Sequence, residues 1–459
     1  MIKFLKTNFL FLLPIPLLLN FSSNFLDQKI SFINFQIYDV ASSLLIFLFL
    51  YSVGFCFKSI FSNMTVTFGI ISYLFSFFIL ESIILFFYDD INLHTIFFTT
   101  NFLWCLFYLS AKKDNKRLLI AISLYLLMFY LNNSFIELFS VNMNIEGDVR
   151  DVFLPNTLTI YENSFKDSIL NPTMSGYPQF MSYIDALIFK ISFGLEDYSY
   201  IASTSLVFFW LNLLLFSEAA TNKKIKVAAG VLFSLLIINS YWLQFLFTSS
   251  LMTERMAGYF LAGTLVTLFK IKNVSFIEIS IIFFILSFVY NTKQFFSIMV
   301  PILFLIFLFK EPYRRASIFL LSGLMLNELS YRTYFKTVPK DHHIRQIDIL
   351  DTIQDLLLFR DLKTENLSVI FKNLLIDIPI LYFLIITICI CLITFIQGKS
   401  NFELNLYTFL SVLNLLLILV LYISAWREME LDSPARYIYS FMSLYFLIFS
   451  NSFERLQNE

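Results

Sequence analysis

Runs of roughly 20 apolar residues recur from one end of this 459-residue chain to the other, and each is long enough for a helix to cross about 30 Å of hydrocarbon. A β-barrel is excluded by the same pattern, because barrel strands alternate apolar and polar positions over about ten residues. Composition agrees: 58% hydrophobic against 14% charged residues leaves too little polar surface to cover a soluble globule. The expectation is an all-α polytopic membrane protein. Fourteen spans can be read, centred near residues 17, 48, 76, 102, 129, 207, 236, 262, 282, 302, 322, 382, 413 and 445. The first follows Lys3 and Lys6 as a signal peptide would. Pro14, Pro16 and Asn20 interrupt it and no small-residue cleavage pattern follows, so it is read as a retained helix.

Charge sets the expected orientation. With the amino terminus in the cytoplasm, the inner segments receive 17 cations, among them Lys58, the group Lys112 to Arg117, the trio Lys223, Lys224 and Lys226, then Lys270, Lys310, Lys399 and Arg455. The short outer loops receive five, Lys29, Arg255, Lys293, Arg427 and Arg436, and the other ten lie in or beside two long outer loops. By the positive-inside rule both termini are cytoplasmic. The net charge of −1 gives no global field for nucleic acid. The four cysteines, Cys56, Cys105, Cys389 and Cys391, fall inside apolar runs and read as small core residues.

The two long outer segments cover about residues 142–197 and 332–369. Loops at a membrane face carry chemistry on a scaffold that positions them. In the first, Leu158, Tyr161, Phe165 and Ile169 recur at helical spacing, and Ile344, Ile347, Ile353 and Leu357 do so in the second. Both stripes predict interfacial helices lying flat on a bilayer. The first loop also clusters the carboxylates Glu146, Asp148 and Asp151 around Arg150, followed by Leu154-Pro155 and later by Gly176-Tyr177-Pro178.

That order resembles the GT-C superfamily of integral-membrane glycosyltransferases, particularly bacterial protein mannosyltransferase-like (family 39) and aminoarabinose transferase-like proteins. Asp148 falls on the family's loop aspartate, Leu154 and Pro155 on its Leu-Pro, and Tyr177 with Pro178 on its Tyr-Pro; Val152, Phe153 and Gln179 depart from the pattern. Weaker echoes are Thr253-Glu254, Thr292-Lys293 and Arg436-Tyr437 at later outer helix ends. The resemblance covers residues 118–459 as a catalytic module and leaves the helices of residues 1–117 outside it.

The resemblance implies transfer of a sugar from a polyprenyl-phosphate donor to a lipid, glycan or protein acceptor at the outer face of a bacterial inner membrane. Such a donor already carries a good leaving group, so the reaction needs a base for the acceptor hydroxyl and cations for the departing phosphate. Asp148 is the expected base, with Asp151 or Glu146 as substitute and Arg150 as an ion-pair partner. Arg255, Lys293, Arg427 and Arg436 are the candidate phosphate ligands. Tyr177 is expected at the substrate. The Asp-x-x-Asp spacing could hold a divalent metal ion, and no cofactor is otherwise assigned. Asp341-His342-His343 lacks the further ligands a structural metal needs, and Glu81 reads as an interhelical hydrogen-bonding group. Two other readings stay open. One is an O-antigen polymerase or ligase using Arg332, Arg345 and Arg360 of the second loop. The other is a transporter or lipid flippase, which the ten glycines, ten prolines and absence of an internal repeat disfavour.

Overall fold

The computed structural model describes residues 37–60, 64–84, 154–162, 180–191, 200–240, 243, 254–271, 275–289, 296–326, 378–424, 438 and 440–457. Among them the chain is helical, with no strand. In chain order the helices are Ile37–Ile60 (α1), Val66–Ile84 (α2), Leu154–Glu162 (α3), Phe180–Ile191 (α4), Tyr200–Ala219 (α5) and Lys223–Asn239 (α6). There follow Glu254–Lys270 (α7), Phe276–Ser287 (α8), Phe296–Leu308 (α9), Ile378–Ile396 (α10), Phe402–Ser424 (α11) and Met442–Gln457 (α12). Residues 318–326 form a further helical stretch. The expected spans near 17, 102 and 129 lie outside the described residues; the others fall on helices. By length and composition one described helix, α11, could cross a membrane, through an 18-residue window at Phe402–Leu419 with a mean hydropathy of 1.7.

One end of the bundle gathers the short connections. Glu218, in the last turn of α5, accepts the N–H groups of Val66 and Thr67 at the start of α2, at 2.8 and 2.9 Å. Thr65 shares a hydrogen bond with Thr267 near the end of α7. Glu454 of α12 accepts the N–H groups of Thr221 and Asn222 at 3.0 Å each, and Arg455 donates to the Lys399 carbonyl at 3.1 Å. Lys310 lies 4.8 Å from the Phe402 ring centre. These contacts place the ends of α5, α7, α9, α10 and α12 beside the starts of α2, α6, α8 and α11. Every lysine and arginine side chain that is described, from Lys58 to Arg455, belongs to these helix ends and turns. We call this the basic end.

Local chemistry fixes the stops and starts there. A helix leaves its first N–H groups without internal partners, and a polar residue before it supplies one. Thr65 accepts from Phe68, Asn222 from Lys224, Ser275 from Glu278 and Asn401 from Leu404. The α10 C-terminus closes on Gly398, whose φ of 67° is open to glycine without a Cβ penalty. The Lys399 N–H reaches back to the Thr394 carbonyl and the Gly398 N–H to that of Phe395, which satisfies two terminal carbonyls.

Packing between helices uses small residues and aromatic rings. A side chain at Gly69 would run into the Gly54 carbonyl, so α1 and α2 approach to backbone contact. Trp210 of α5 donates to Ser43 of α1 at 3.1 Å, and Ser443 of α12 bonds Asn212 of α5 at 2.6 Å. Phe216, Phe233 and Phe383 surround Phe446 at ring-centre distances of 5.0, 5.1 and 4.4 Å. This cluster joins α5, α6 and α10 to α12.

The outward faces invert the usual distribution. On α10 the buried stripe is Ile380, Phe383, Thr387, Cys391 and Thr394, at steps of three and four, while Ile385, Ile386, Ile388, Leu392, Ile393 and Ile396 are exposed. On α11, Ser411 and Asn414 are buried and Phe409, Val412 and Leu416 are exposed. Hydroxyl and amide groups share the buried faces with apolar side chains such as Phe383, Leu404 and Leu410, and large aliphatic side chains are exposed.

Candidate functional site

The site expected from the sequence flanks α3, α4 and the helix ends opposite the basic end. Glu146, Asp148, Arg150, Asp151, Tyr177, Lys293, Arg427 and Arg436 lie outside the described residues, as do Phe165, Ile169 and the stripe from Ile344 to Leu357. Arg255 is the second residue of α7, described as backbone alone. The structure does describe the elements that flank them. The α7 carboxyl end stands at the basic end through Thr267, so its start, thirteen residues earlier, lies about 20 Å away at 1.5 Å per residue. A side chain at Gly258, near that start, would meet the carbonyl of Ser440, which precedes α12. The end of α8, the start of α9 and the end of α11 also point away from the basic end. The helix termini that flank Arg255, Lys293, Arg427 and Arg436 in sequence therefore share one face of the bundle.

An aromatic hub joins the start of α4 to α2, α7 and the end of α8. Phe75 of α2 stacks on Phe180 at 4.5 Å and meets Phe260 of α7 and Phe288 at 5.2 and 5.9 Å. Phe180 also meets Phe78 edge-on at 4.8 Å, and Tyr183 meets Phe78 at 5.5 Å. Phe75 is nine residues along α2 from Val66, about 14 Å from the basic end. Phe180 begins α4 directly after Tyr177-Pro178-Gln179; Phe260 follows Arg255 by five residues, and Phe288 precedes Lys293 by five. Three segments distant in sequence, each adjoining an expected site residue, converge on one ring.

Of the two interfacial helices expected, the second lies outside the described residues and the first is described only over α3, beside α4. Seven consecutive residues of α4, Ser182 to Ile188, are buried, so α4 is enclosed by the bundle rather than laid along its rim. On α3 the deeply buried face is Leu154, Asn156, Thr157 and Ile160, whereas Leu158 and Tyr161 are only half-buried. The sequence stripe chose the more apolar face. The chain buries the one carrying Asn156 and Thr157, and α4, which packs against α3, buries Ser182 and Asp185.

Asp185 is the residue the sequence reading missed. Its side chain is fully buried in the middle of α4. The other described carboxylates, Glu218, Glu278, Glu311, Glu403 and Glu454, all belong to the basic end. There Tyr407 donates to Glu403 at 3.0 Å, and burial, with the Glu403 charge second, holds the Tyr313 hydroxyl above the usual phenol range. The available signal was an aspartate inside the apolar run FMSYIDALIFKI. Among the described residues no three His, Cys, Asp or Glu side chains converge as a metal-ligand set.

No protein-family model, curated protein or solved structure matches the chain.

Proposed function

We propose that the chain is a polytopic membrane glycosyltransferase that moves a sugar from a polyprenyl-phosphate donor to an acceptor hydroxyl at the face opposite the basic end. Membrane residence is supported by the inverted faces of α10 and α11. In water, a row such as Ile385, Ile388, Leu392 and Ile396 would be an unpaired apolar patch. Against lipid tails it is at no disadvantage, and the inward Thr387, Thr394, Ser411 and Asn414 are then sheltered from hydrocarbon. The gathering of the described lysine and arginine side chains at one end is in keeping with a cytoplasmic surface. A cysteine introduced at Lys224 should react with an impermeant thiol reagent only after lysis, and one at Ser164 should react in intact cells. Reversed labelling would move the proposed site to the cytoplasm.

The observation that carries the transferase reading is the convergence on Phe75. It brings together the start of α4, which follows Tyr177-Pro178 in sequence, and the parts of α7 and α8 that neighbour Arg255 and Lys293 in sequence. This is the juxtaposition a base in the first loop and cations on later helices require. In the proposed reaction Asp148 accepts the proton of the acceptor hydroxyl as its oxygen bonds to the anomeric carbon. The bond from that carbon to the phosphate oxygen breaks, and polyprenyl phosphate departs with the electron pair. Arg255, Lys293, Arg427 and Arg436 are proposed to stabilise the charge on the departing phosphate.

The test is what accumulates when the protein is removed from its native cell. A polyprenyl-monophosphate sugar supports the transferase. A polyprenyl-diphosphate oligosaccharide would replace it with the polymerase reading.

A further inference from the structure

Asp185 lies away from either end of its own helix. Glu278, the other buried carboxylate among the described residues, sits in the first turn of α8, three residues after the Ser275 cap, where a helix start favours negative charge. Asp185 is the sixth of the twelve residues of α4, with buried residues on either side. Burying a carboxylate is costly unless polar groups receive it. Among the described residues, buried polar side chains near α4 include Ser182, one turn earlier, Asn156 and Thr157 in the first turn of α3, and Ser205 on α5, both helices being packed against it.

The two helices are secured unequally. Phe180 and Tyr183 lock α4 into the bundle through Phe75 and Phe78. With nine residues, α3 is too short to hold its own structure and depends on tertiary contacts. Its first turn begins three residues after Asp151 in the chain.

We infer that Asp185 is a positioning residue: on the rigid α4, it registers the first turn of α3 through the buried polar layer that includes Ser182, Asn156 and Thr157. The connection to turnover rests on the transferase reading; the connection to α3 does not. A displacement of about 1 Å at a reacting group can cost on the order of 10²-fold in rate, so a loosened α3 start should register in catalysis more than in folding.

The experiment compares full-length wild type with Asp185→Asn, which keeps the shape and removes the charge. Amide hydrogen exchange is measured over residues 157–162 and, as reference, over α1 and α2. Turnover is measured with a polyprenyl-phosphate sugar. Exchange in α3 should rise about tenfold or more while α1 and α2 stay unchanged, and turnover per folded molecule should fall on the order of tenfold or more at unchanged donor affinity. Unaltered α3 exchange overturns the inference. Faster exchange with full turnover also overturns it, reducing Asp185 to a stability residue. Absence of transfer by the wild type would sink the transferase reading alone, since the exchange comparison needs no substrate. If Asp185→Asn fails to accumulate, Ser182→Ala and Asn156→Ala weaken the same layer without removing the carboxylate and should raise α3 exchange. Unchanged exchange in both would overturn the inference.

Discussion

The two ends of the bundle use carboxylates in opposite ways. At the basic end Glu218 and Glu454 each receive two backbone N–H groups from a helix start on another segment, and the capping geometry accounts for both. In α4 Asp185 is buried in mid-helix, on a helix that packs against the short α3. A carboxylate that satisfies helix ends contributes to the fold. A carboxylate buried in mid-helix is the kind that a site hypothesis starts from.

The sharpest way to break this division is in the first loop itself. Asp148→Asn should lose on the order of 10²-fold or more in turnover, as removal of a general base does. Membrane insertion and donor binding should persist, because the sequence reading puts the residue in an aqueous loop and no described packing depends on it. Asp151→Asn should be milder. Near-normal transfer by Asp148→Asn ends the assignment, and a dead Asp151→Asn beside it would shift the base by three residues.

The converse holds for Glu218. Glu218→Ala removes a charged acceptor from two N–H groups, and hydrogen bonds to charged groups contribute about 1.5–3 kcal/mol. A stability loss of about that size, read from the melting temperature, should accompany unchanged turnover per folded molecule. Lost turnover at unchanged stability would show that the basic end takes part in the reaction and would erase the contrast between the two ends.

Much of this was legible in the sequence, and the boundary has physical causes. Span positions follow from apolar run length, which hardly depends on tertiary context, so the expected centres near 48, 76, 207 and 413 fall on α1, α2, α5 and α11. Which face a helix buries is a different matter. For a helix in water, the most apolar face is the sound expectation. On α10 and α3 polar groups turn inward all the same: Thr387, Thr394, Asn156 and Thr157 are buried, and Thr394 donates to the Ile390 carbonyl of its own helix. Sequence order also could not show that Phe180, Phe260 and Phe288 meet at Phe75, since nothing local to any of them records the others. Asp185 was overlooked because a single acidic residue does not interrupt an apolar run.

A third comparison sits at the face of the proposed reaction. Lys293→Ala or Arg436→Ala should weaken donor binding about tenfold, roughly 1.4 kcal/mol, and acceptor binding less, since the lost contact is to a phosphate. Donor affinity unchanged in both variants would assign these cations to headgroup anchoring, and the case for the face would then rest on the carboxylates.

The smallest effect sharpens the contrast from the other side. Asn401 accepts the Leu404 N–H at 2.9 Å and starts α11, directly after the Gly398 closure of α10. Asn401→Ala should cost about 1 kcal/mol, the usual loss on removing an N-cap. Asn222→Ala should cost a similar amount at the start of α6, where the Lys224 N–H loses its side-chain acceptor. The two caps serve different helix pairs, so their costs should add in the double variant to within about 0.5 kcal/mol. Neither should change donor affinity or turnover. A cap substitution that lowered turnover while leaving the melting temperature in place would mean that the basic end is coupled to the site across the bundle, and the two ends could no longer be treated as separate.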